Sequence, residues 1–220
     1  MYQLAVFDLD GTLLNTLSAL TWCTNLVLGD LGLPPVDTED TKKMVGDGFR
    51  NQLRRALKKA GDTSEETFRK AEALYRQYFP VHCLHEVVPY EGIPELLEEM
   101  KARGMKIACF SNKPDAQAVY NIESIFGPGY FDAVRGEIDG IPRKPDPAGA
   151  LRIAEQLGVR PENCLYLGDT NTDMRTGQNA GMVTVAVLWG FRGREELESF
   201  HPAFIAERPS DVADFAFGGK

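Results

Sequence analysis

The stretch that most constrains the fold lies near the start of the chain, where a short apolar segment runs into two acids. Leu4–Phe7 is apolar throughout and predicts a buried strand. Asp8 and Asp10 follow it two residues apart, so their side chains project to one side of an extended chain. Gly11 then permits a sharp turn. Either the carboxylates share a pocket at the end of a strand, where α/β sheets bind ligands, or the strand simply enters a solvated Asp-Gly turn.

The composition excludes several classes of partner. Of the 220 residues 43% are hydrophobic, and 32 acidic against 24 basic residues give a formal net charge of -8. Such a surface argues against general binding of nucleic acid or of an anionic membrane, although a local pocket can still take a small anion. No apolar run approaches the roughly 20 residues of a membrane span, and the first residues do not resemble a signal peptide.

The cysteines indicate a reducing compartment. Their positions are Cys23, Cys83, Cys109 and Cys164. None forms a close pair with metal-ligand spacing, and Cys109 and Cys164 lie in apolar runs that resemble strands. We therefore predict reduced, mostly buried thiols in a cytoplasmic protein, with a catalytic cysteine as the minor alternative.

The order of the predicted elements indicates an α/β fold with a helical insertion. Apolar residues recur at helical spacing from about residue 15 to residue 84, without convincing strands. Helices and strands alternate beyond Pro89, with strands predicted over 106–110, 131–134, 164–167 and 183–188. Alternation of this kind favours a parallel sheet with helices on both faces. We predict a core made of residues 1–14 and 85–220, with residues 15–84 inserted after the first strand.

Three more strand ends carry polar residues. Ser111 and Asn112 follow the second strand and precede a helix, an arrangement that suits an anion. Lys144 lies in a turn stiffened by a proline, where a solvated lysine would also be ordinary. Asp169 and Asp173 follow a later strand four residues apart, so they share a face of any helix that begins there. Each signal alone is equally compatible with a helix cap or an exposed charge.

Taken together, the four strand ends point to phosphoryl transfer. If the acids at 8, 10, 169 and 173 meet at one edge of the sheet, their mutual repulsion requires a bound cation. A site made only of oxygen ligands favours Mg²⁺. Lys144 and the N–H groups near Gly11 and Asn112 would offset the charge of a phosphate. Metal, positive clamp and nucleophilic carboxylate are the parts that phosphoryl transfer needs.

The ordered set of motifs resembles the haloacid dehalogenase-like superfamily. The matching motifs are Asp8-x-Asp10-x-Thr12, Ser111, Lys144 and Gly168-Asp169-x-x-x-Asp173. The resemblance implies a Rossmann-like core and a helical cap, which residues 15–84 fit. It also implies that Asp8 attacks phosphorus and forms an aspartyl-phosphate, while Asp10 protonates the leaving group and then activates water. The aspartate at position 10 argues against a dehalogenase.

The same resemblance assigns the ligands of phosphate and metal. It implies that Ser111 and Lys144 hold the phosphoryl oxygens. Gly11, Thr12 and Asn112 are our further candidates for binding the substrate. The resemblance implies four metal ligands or supports, namely the side chains of Asp8 and Asp169, the carbonyl of Asp10, and Asp173.

Two segments resemble bacterial phosphoglycolate phosphatases in particular. They are residues 45–50, Val-Gly-Asp-Gly-Phe-Arg, and residues 189–197, which begin Trp-Gly-Phe-Arg-Gly. In the first segment, Arg50 is a candidate to pair with a substrate carboxylate, although a solvated arginine is the simpler interpretation. Asn15 and Thr16 depart from the Asp-Ser that relatives often carry there, which puts cap motion in question.

The sequence therefore predicts a Mg²⁺-dependent phosphatase that acts on a small phosphorylated metabolite, with 2-phosphoglycolate as the leading substrate. We expect no nucleic-acid or membrane partner, and either a monomer or a homodimer. A sugar phosphomutase on the same fold is one alternative. A phosphate-binding or interaction protein without turnover is another.

Overall fold

The computed structural model describes residues 2–218, and the secondary structure begins with a strand followed by a helical stretch. The first elements are β1 (Leu4–Phe7), β2 (Leu14–Asn15), α1 (Leu17–Asp30), α2 (Thr38–Met44), α3 (Phe49–Lys59), α4 (Glu65–His82) and β3 (Val88–Pro89). The later ones are α5 (Ile93–Ala102), β4 (Lys106–Pro114), α6 (Asp115–Phe126), β5 (Ala133–Glu137), α7 (Ala148–Gln156), β6 (Cys164–Gly168), α8 (Asn171–Asn179), β7 (Val183–Val187), α9 (Arg194–Glu198), β8 (Phe204–Ala206) and α10 (Pro209–Phe217). Among residues 2–218, no helix combines the length and apolar character needed to cross a membrane.

The chain divides into two compact units. One comprises Met1–Leu14 and Pro89–Lys220, and the other comprises Asn15–Val88. The second unit contains α1 to α4, and its interior includes a polar contact in which Gln52 Nε2 donates to Thr24 Oγ1 at 2.8 Å. The assignment of residues 15–84 as a cap that serves the core stays a prediction.

The first unit is built on a six-stranded parallel sheet, so the predicted α/β class is confirmed. Its strand order is β5-β4-β1-β6-β7-β8. All four residues of β1 are fully buried, and Leu4 and Val6 share a core cluster with Ile153 of α7. Helices cover both faces of such a sheet, which explains why its central strand is apolar on both sides.

The register of the sheet brings the predicted strand ends together. In β1, Phe7 is paired with Cys109 of β4 on one side and with Leu167 of β6 on the other. The residues that follow these three therefore emerge at one edge. The strand order also reverses beside β1, and the carboxyl end of the strands at such a point is the usual ligand crevice of an open α/β sheet.

Two predicted strands have different boundaries in the structure, and one strand of the sheet was not predicted. β4 continues to Pro114 instead of ending at residue 110, because pairing with β5 is interrupted by a register irregularity after Phe110 and resumes between Pro114 and Glu137. β5 lies over Ala133–Glu137 rather than 131–134. β8 has only three residues, too few to show the alternation from which strands are predicted.

Candidate active site

Three of the four acids predicted to converge do so in the first unit. Asp8, Asp169 and Asp173 are buried, and each offers one carboxylate oxygen, all within 4.8 Å of one another. Asp8 directly follows β1 and Asp169 directly follows β6, which is paired with β1. Asp173 lies in the first turn of α8. Parallel pairing and a helix start therefore place three carboxylates from two sequence motifs at one point.

Lys144 is the buried cation of this cluster. Its side chain is 0% exposed, and its Nζ lies 2.9 Å from Asp8 Oδ1 and 2.7 Å from Asp173 Oδ1. Asn112 fixes the backbone of Lys144 from both sides. The amide nitrogen of Asn112 donates to the Lys144 carbonyl at 3.1 Å, and the Lys144 N–H donates to Asn112 Oδ1 at 2.9 Å. The structure thus gives Asn112 a supporting position, and substrate binding by it stays a prediction.

Asp173 is held by the start of its own helix. Thr170 donates to Asp173 Oδ2 through its hydroxyl at 2.6 Å and through its backbone N–H at 3.1 Å. In return, the Asp173 N–H donates to Thr170 Oγ1 at 3.4 Å, which completes a capping box. The second oxygen of Asp173 accepts from Lys144. Asp173 therefore has a fixed orientation.

Asp169 accepts hydrogen bonds from two segments that are far apart in sequence. Thr12 Oγ1 donates to Asp169 Oδ1 at 3.0 Å, and the Phe191 N–H donates to Asp169 Oδ2 at 2.8 Å. Gly11 has a φ of +83°, and a Cβ there would lie 2.3 Å from Asp169 Oδ2. Only glycine fits so close to the carboxylate in this conformation. Substrate binding by Gly11 and Thr12 stays a prediction.

The segment after β7 belongs to the site, which sequence reasoning missed. Trp189 Nε1 donates to the Thr12 carbonyl at 2.9 Å, and a Cβ on Gly190 would lie 2.3 Å from both Asp169 Cβ and the Gly11 carbonyl oxygen. The sequence offered one signal, the resemblance of residues 189–197 to one group of phosphatases. That signal indicated kinship and not contact with Asp169.

Lys113 is the second residue that sequence reasoning missed. Its Nζ lies 2.6 Å from Asp10 Oδ1, and its side chain is almost fully buried. The Lys113 N–H donates to the buried hydroxyl of Ser111 at 3.3 Å. The available signal was the spacing, because residues 111 and 113 of a strand project to the same side.

The charge of the cluster fits a hard divalent cation. Four carboxylates, at 8, 10, 169 and 173, are accompanied by the ammonium groups of Lys113 and Lys144, which leaves a formal excess of two negative charges. Three buried carboxylates offer only oxygen ligands, the donor set that Mg²⁺ or a similar ion prefers. The residues present therefore fit such an ion.

The pKa values express the same excess of negative charge. The pKa of Asp8 is raised to about 7, first by loss of hydration and then by Asp173, against the opposing charge of Lys144. Burial, followed by repulsion from Asp173 and Asp8, raises the pKa of Asp169 well above its usual range. Burial lowers the pKa of Lys144, but the charges of Asp173 and Asp8 outweigh it, so that pKa rises. The ionised forms of Asp8 and Asp169 are therefore unfavourable in the absence of a further cation, and a nearby metal ion would stabilise them.

Arg50 lies in the other unit, in the first turn of α3. Its Nε donates to Glu72 Oε1 of α4 at 2.9 Å, and its guanidinium carbon lies 5.1 Å from the centre of the Phe49 ring. Binding of a substrate carboxylate by Arg50 stays a prediction.

Comparison with known proteins gives the class. The family model described as haloacid dehalogenase-like hydrolase matches residues 5–187. The chain belongs to this family. The match spans every motif of the cluster described above, from Asp8 to Asp173.

Individual relatives cover nearly the whole chain. A phosphoglycolate phosphatase of Aquifex aeolicus is 34% identical over 214 residues, which are 96% of this chain and 94% of the relative. An N-acetylmuramic acid 6-phosphate phosphatase of Pseudomonas aeruginosa is 32% identical over 213 residues, covering 95% and 92% respectively. The crystal structure of a Lactobacillus delbrueckii protein, for which phosphoglycolate phosphatase activity has been suggested, has a TM-score of 0.94 at 28% identity and covers 99% of both chains. With the family match, these relatives make the chain a phosphoric monoester hydrolase.

Proposed function

We propose that the protein is a Mg²⁺-dependent phosphatase that hydrolyses a small phosphate monoester through an aspartyl-phosphate on Asp8. The observation that carries the proposal is the buried group of Asp8, Asp169 and Asp173 with Lys144 bonded to two of its members. A nucleophile beside a fixed cation and a metal-ligand set matches the needs of phosphoryl transfer.

The first step transfers the phosphoryl group to Asp8. A carboxylate oxygen of Asp8 attacks phosphorus, and the bond between phosphorus and the leaving oxygen breaks with its electron pair on that oxygen. Asp10 gives a proton to the leaving alkoxide, so an alcohol departs. Lys144 and Ser111 hold the phosphoryl oxygens, and the backbone N–H groups near Gly11 add to them.

The second step returns the enzyme to its starting state. Asp10, now a carboxylate, takes a proton from water as the water oxygen attacks phosphorus. The bond between phosphorus and the Asp8 oxygen breaks, inorganic phosphate leaves, and both acids regain their original protonation. Asp10 thus serves first as general acid and then as general base. One group can fill both roles when it faces both the leaving oxygen and the attacking oxygen.

Asp8, Asp169 and the carbonyl of Asp10 would hold Mg²⁺, with Asp173 in support. When bound, the ion would supply positive charge that offsets the negative charge of the carboxylates. A phosphate dianion could then bind beside them. Thr12 and Phe191 keep Asp169 oriented for this purpose through the hydrogen bonds described above.

We propose 2-phosphoglycolate as the substrate. The support is the phosphoglycolate phosphatase of Aquifex aeolicus at 34% identity. The relative that acts on N-acetylmuramic acid 6-phosphate, at 32% identity, makes the choice of substrate an experimental question. Both compounds are phosphate monoesters that also carry a carboxylate, so a cation such as Arg50 suits either one.

We further propose that the enzyme works in the cytoplasm, as a monomer or a homodimer. The support is that none of the four buried cysteines, at 23, 83, 109 and 164, forms a disulfide, which agrees with a reducing compartment.

The test is phosphate release from a panel of monoesters by the purified chain. The panel contains 2-phosphoglycolate, N-acetylmuramic acid 6-phosphate, a monoester without a carboxylate, and a sugar phosphate that a mutase would isomerise. We expect the highest kcat/KM for 2-phosphoglycolate, loss of activity with a chelator, and recovery when Mg²⁺ is added.

Asp8→Asn is the matched variant, because it keeps the shape of the side chain and removes the nucleophile. We expect its activity to fall by at least about 10³-fold. A low rank for 2-phosphoglycolate would reject that substrate and leave the phosphatase. Isomerised sugar phosphate without release of phosphate, or turnover that withstands both the chelator and Asp8→Asn, would reject the proposed reaction.

A further inference from the structure

Lys113 is a buried cation that none of the sequence motifs uses. Its side chain is 2% exposed, and its Nζ lies 2.6 Å from Asp10 Oδ1, across 103 positions of sequence. Transfer of an ammonium group from water to a buried position has an unfavourable desolvation free energy. A single buried ion pair compensates for it only when the geometry of the pair is good. A lysine kept in such a place indicates a use other than stability.

Lys113 lies between two points at which β4 is paired with β5, Phe110 and Pro114. It lies in β4 near the end of the strand, and its N–H donates to the hydroxyl of Ser111 at 3.3 Å. The same stretch supplies Asn112, which holds the backbone of Lys144. A side chain held between two paired positions places its end group more accurately than one on a free loop.

Each of the two lysines of the site contacts one acid of the first motif. Lys144 contacts Asp8 and Asp173, and Lys113 contacts Asp10. Asp8 is 6% exposed and is also fixed by the N–H of Leu9, which donates to Asp8 Oδ1 at 2.6 Å. Asp10 is 19% exposed and therefore has more freedom to rotate toward solvent.

We propose that Lys113 is the positioning residue for Asp10, holding its carboxyl group where it can serve the leaving oxygen and then the attacking water. This inference rests on the proposed function, because it concerns the same two steps. A group held within a fraction of an ångström of its working position acts far faster than one that must find it. The alternative is that Lys113 binds the substrate anion directly, and the two cases differ in what its loss does.

The experiment compares two esters in Lys113→Met, Asp10→Asn and the double variant, with circular dichroism to check folding. One ester is 2-phosphoglycolate, whose alkoxide needs a proton in order to leave. The other is a nitrophenyl phosphate, whose leaving group needs none. The parameter is kcat/KM, because it reports the reaction only up to loss of the leaving group and so excludes the water step.

We expect Lys113→Met to lower kcat/KM by about 10²-fold for the alkyl ester and by less than about threefold for the aryl ester. Asp10→Asn should show the same selectivity. The double variant should lie within about twofold of Asp10→Asn, because Lys113 acts through Asp10. Lys106→Met is the matched control: it removes an exposed lysine from the other end of β4 and should leave both esters unchanged.

Equal losses on both esters, or losses that multiply in the double variant, would overturn the inference while the phosphatase stands. A wild-type enzyme that releases phosphate from neither ester would overturn the proposed function, and the inference with it. If Lys113→Met does not fold, Lys113→Gln replaces it, since the amide also lacks the charge, and the same selectivity is expected.

Discussion

Ion pairs of similar length occupy very different surroundings in the two units of the molecule. In the first unit, Lys144 is 0% exposed and lies 2.7 Å from Asp173, which is also 0% exposed. In the helical unit, Arg54 is 47% exposed and lies 2.6 Å from Glu65, which is 62% exposed. Lys59, which is 51% exposed, lies 2.6 Å from the half-buried Asp40. The distances between the charged atoms therefore do not distinguish the ion pairs of the two units.

The difference teaches that burial, and not distance, separates a working site from a solvated surface. Exposed pairs are screened by water and salt and contribute little to stability. Buried pairs lose hydration that they recover only in part, so a chain retains them where the charge itself is needed. By this criterion Arg54 and Glu65 form an ordinary surface pair, whereas Lys113 and Lys144 are the candidates for the chemistry.

The largest expected effect comes from removing the buried cation. Lys144→Met leaves Asp8 and Asp173 buried together without their ammonium partner. We expect activity to fall below detection and, without added metal, the free energy of unfolding to fall by about 3–5 kcal/mol. Denaturant unfolding and phosphate release measure the two effects.

Lys59→Met is the control from the other unit, since its ion pair has a similar length, 2.6 Å, and the lysine is 51% exposed. We expect no measurable change in either quantity for this variant. Equal destabilisation by the two substitutions would show that burial does not separate the pairs.

A smaller effect is expected from crowding Asp169. In Gly190→Ala, the new methyl group would meet Asp169 and the Gly11 carbonyl at 2.3 Å, so one of them must move. A shift of about 1 Å at a reacting group lowers kcat/KM by about 10²-fold. Gly193→Ala, three residues further on, meets no atom within 4 Å and should keep full activity. A fully active Gly190→Ala variant would show that Asp169 does not need its present position.

The smallest effect is expected in the helical unit, where two arginines of α3 form similar pairs. Arg50→Met should raise KM for 2-phosphoglycolate by about tenfold, through loss of a charged hydrogen bond to the substrate carboxylate. The KM of a monoester without a carboxylate should not change. Arg54→Met is the control, with a matching ion pair to Glu65. If both variants behave alike, Arg50 is a surface residue like its neighbour.

The sequence predicted the fold class and the convergence of the acids because both follow from simple periodicities. Apolar runs ending in Asp8 and Asp169 predict strands, and parallel strands end at one edge. The same reasoning could not predict β8, which is too short to alternate, or the true end of β4, where pairing with β5 extends past the polar residues. Local sequence preferences carry no information about which strand lies alongside, so they cannot predict where pairing begins or ends.

The residues missed at the site share one property, that their role lies in a contact across a long stretch of sequence. Lys113 meets Asp10 from 103 positions away, and Trp189 meets Thr12 from 177 positions away. No local pattern identifies the partner of a lysine near the end of β4 or of a tryptophan after β7. Their contacts depend on the register of the sheet, which only the folded structure supplies.

The capping box of α8 has a consequence for how the enzyme responds to its ligands. Asp173 completes the capping box of that helix and also belongs to the acidic group, so the first turn of α8 and the cluster share one carboxyl group. A change in charge around Asp173 therefore also changes the strength of the hydrogen bond that the Thr170 N–H donates to it. Amide hydrogen exchange in that single turn of helix would report, from the backbone, whether the crevice is occupied.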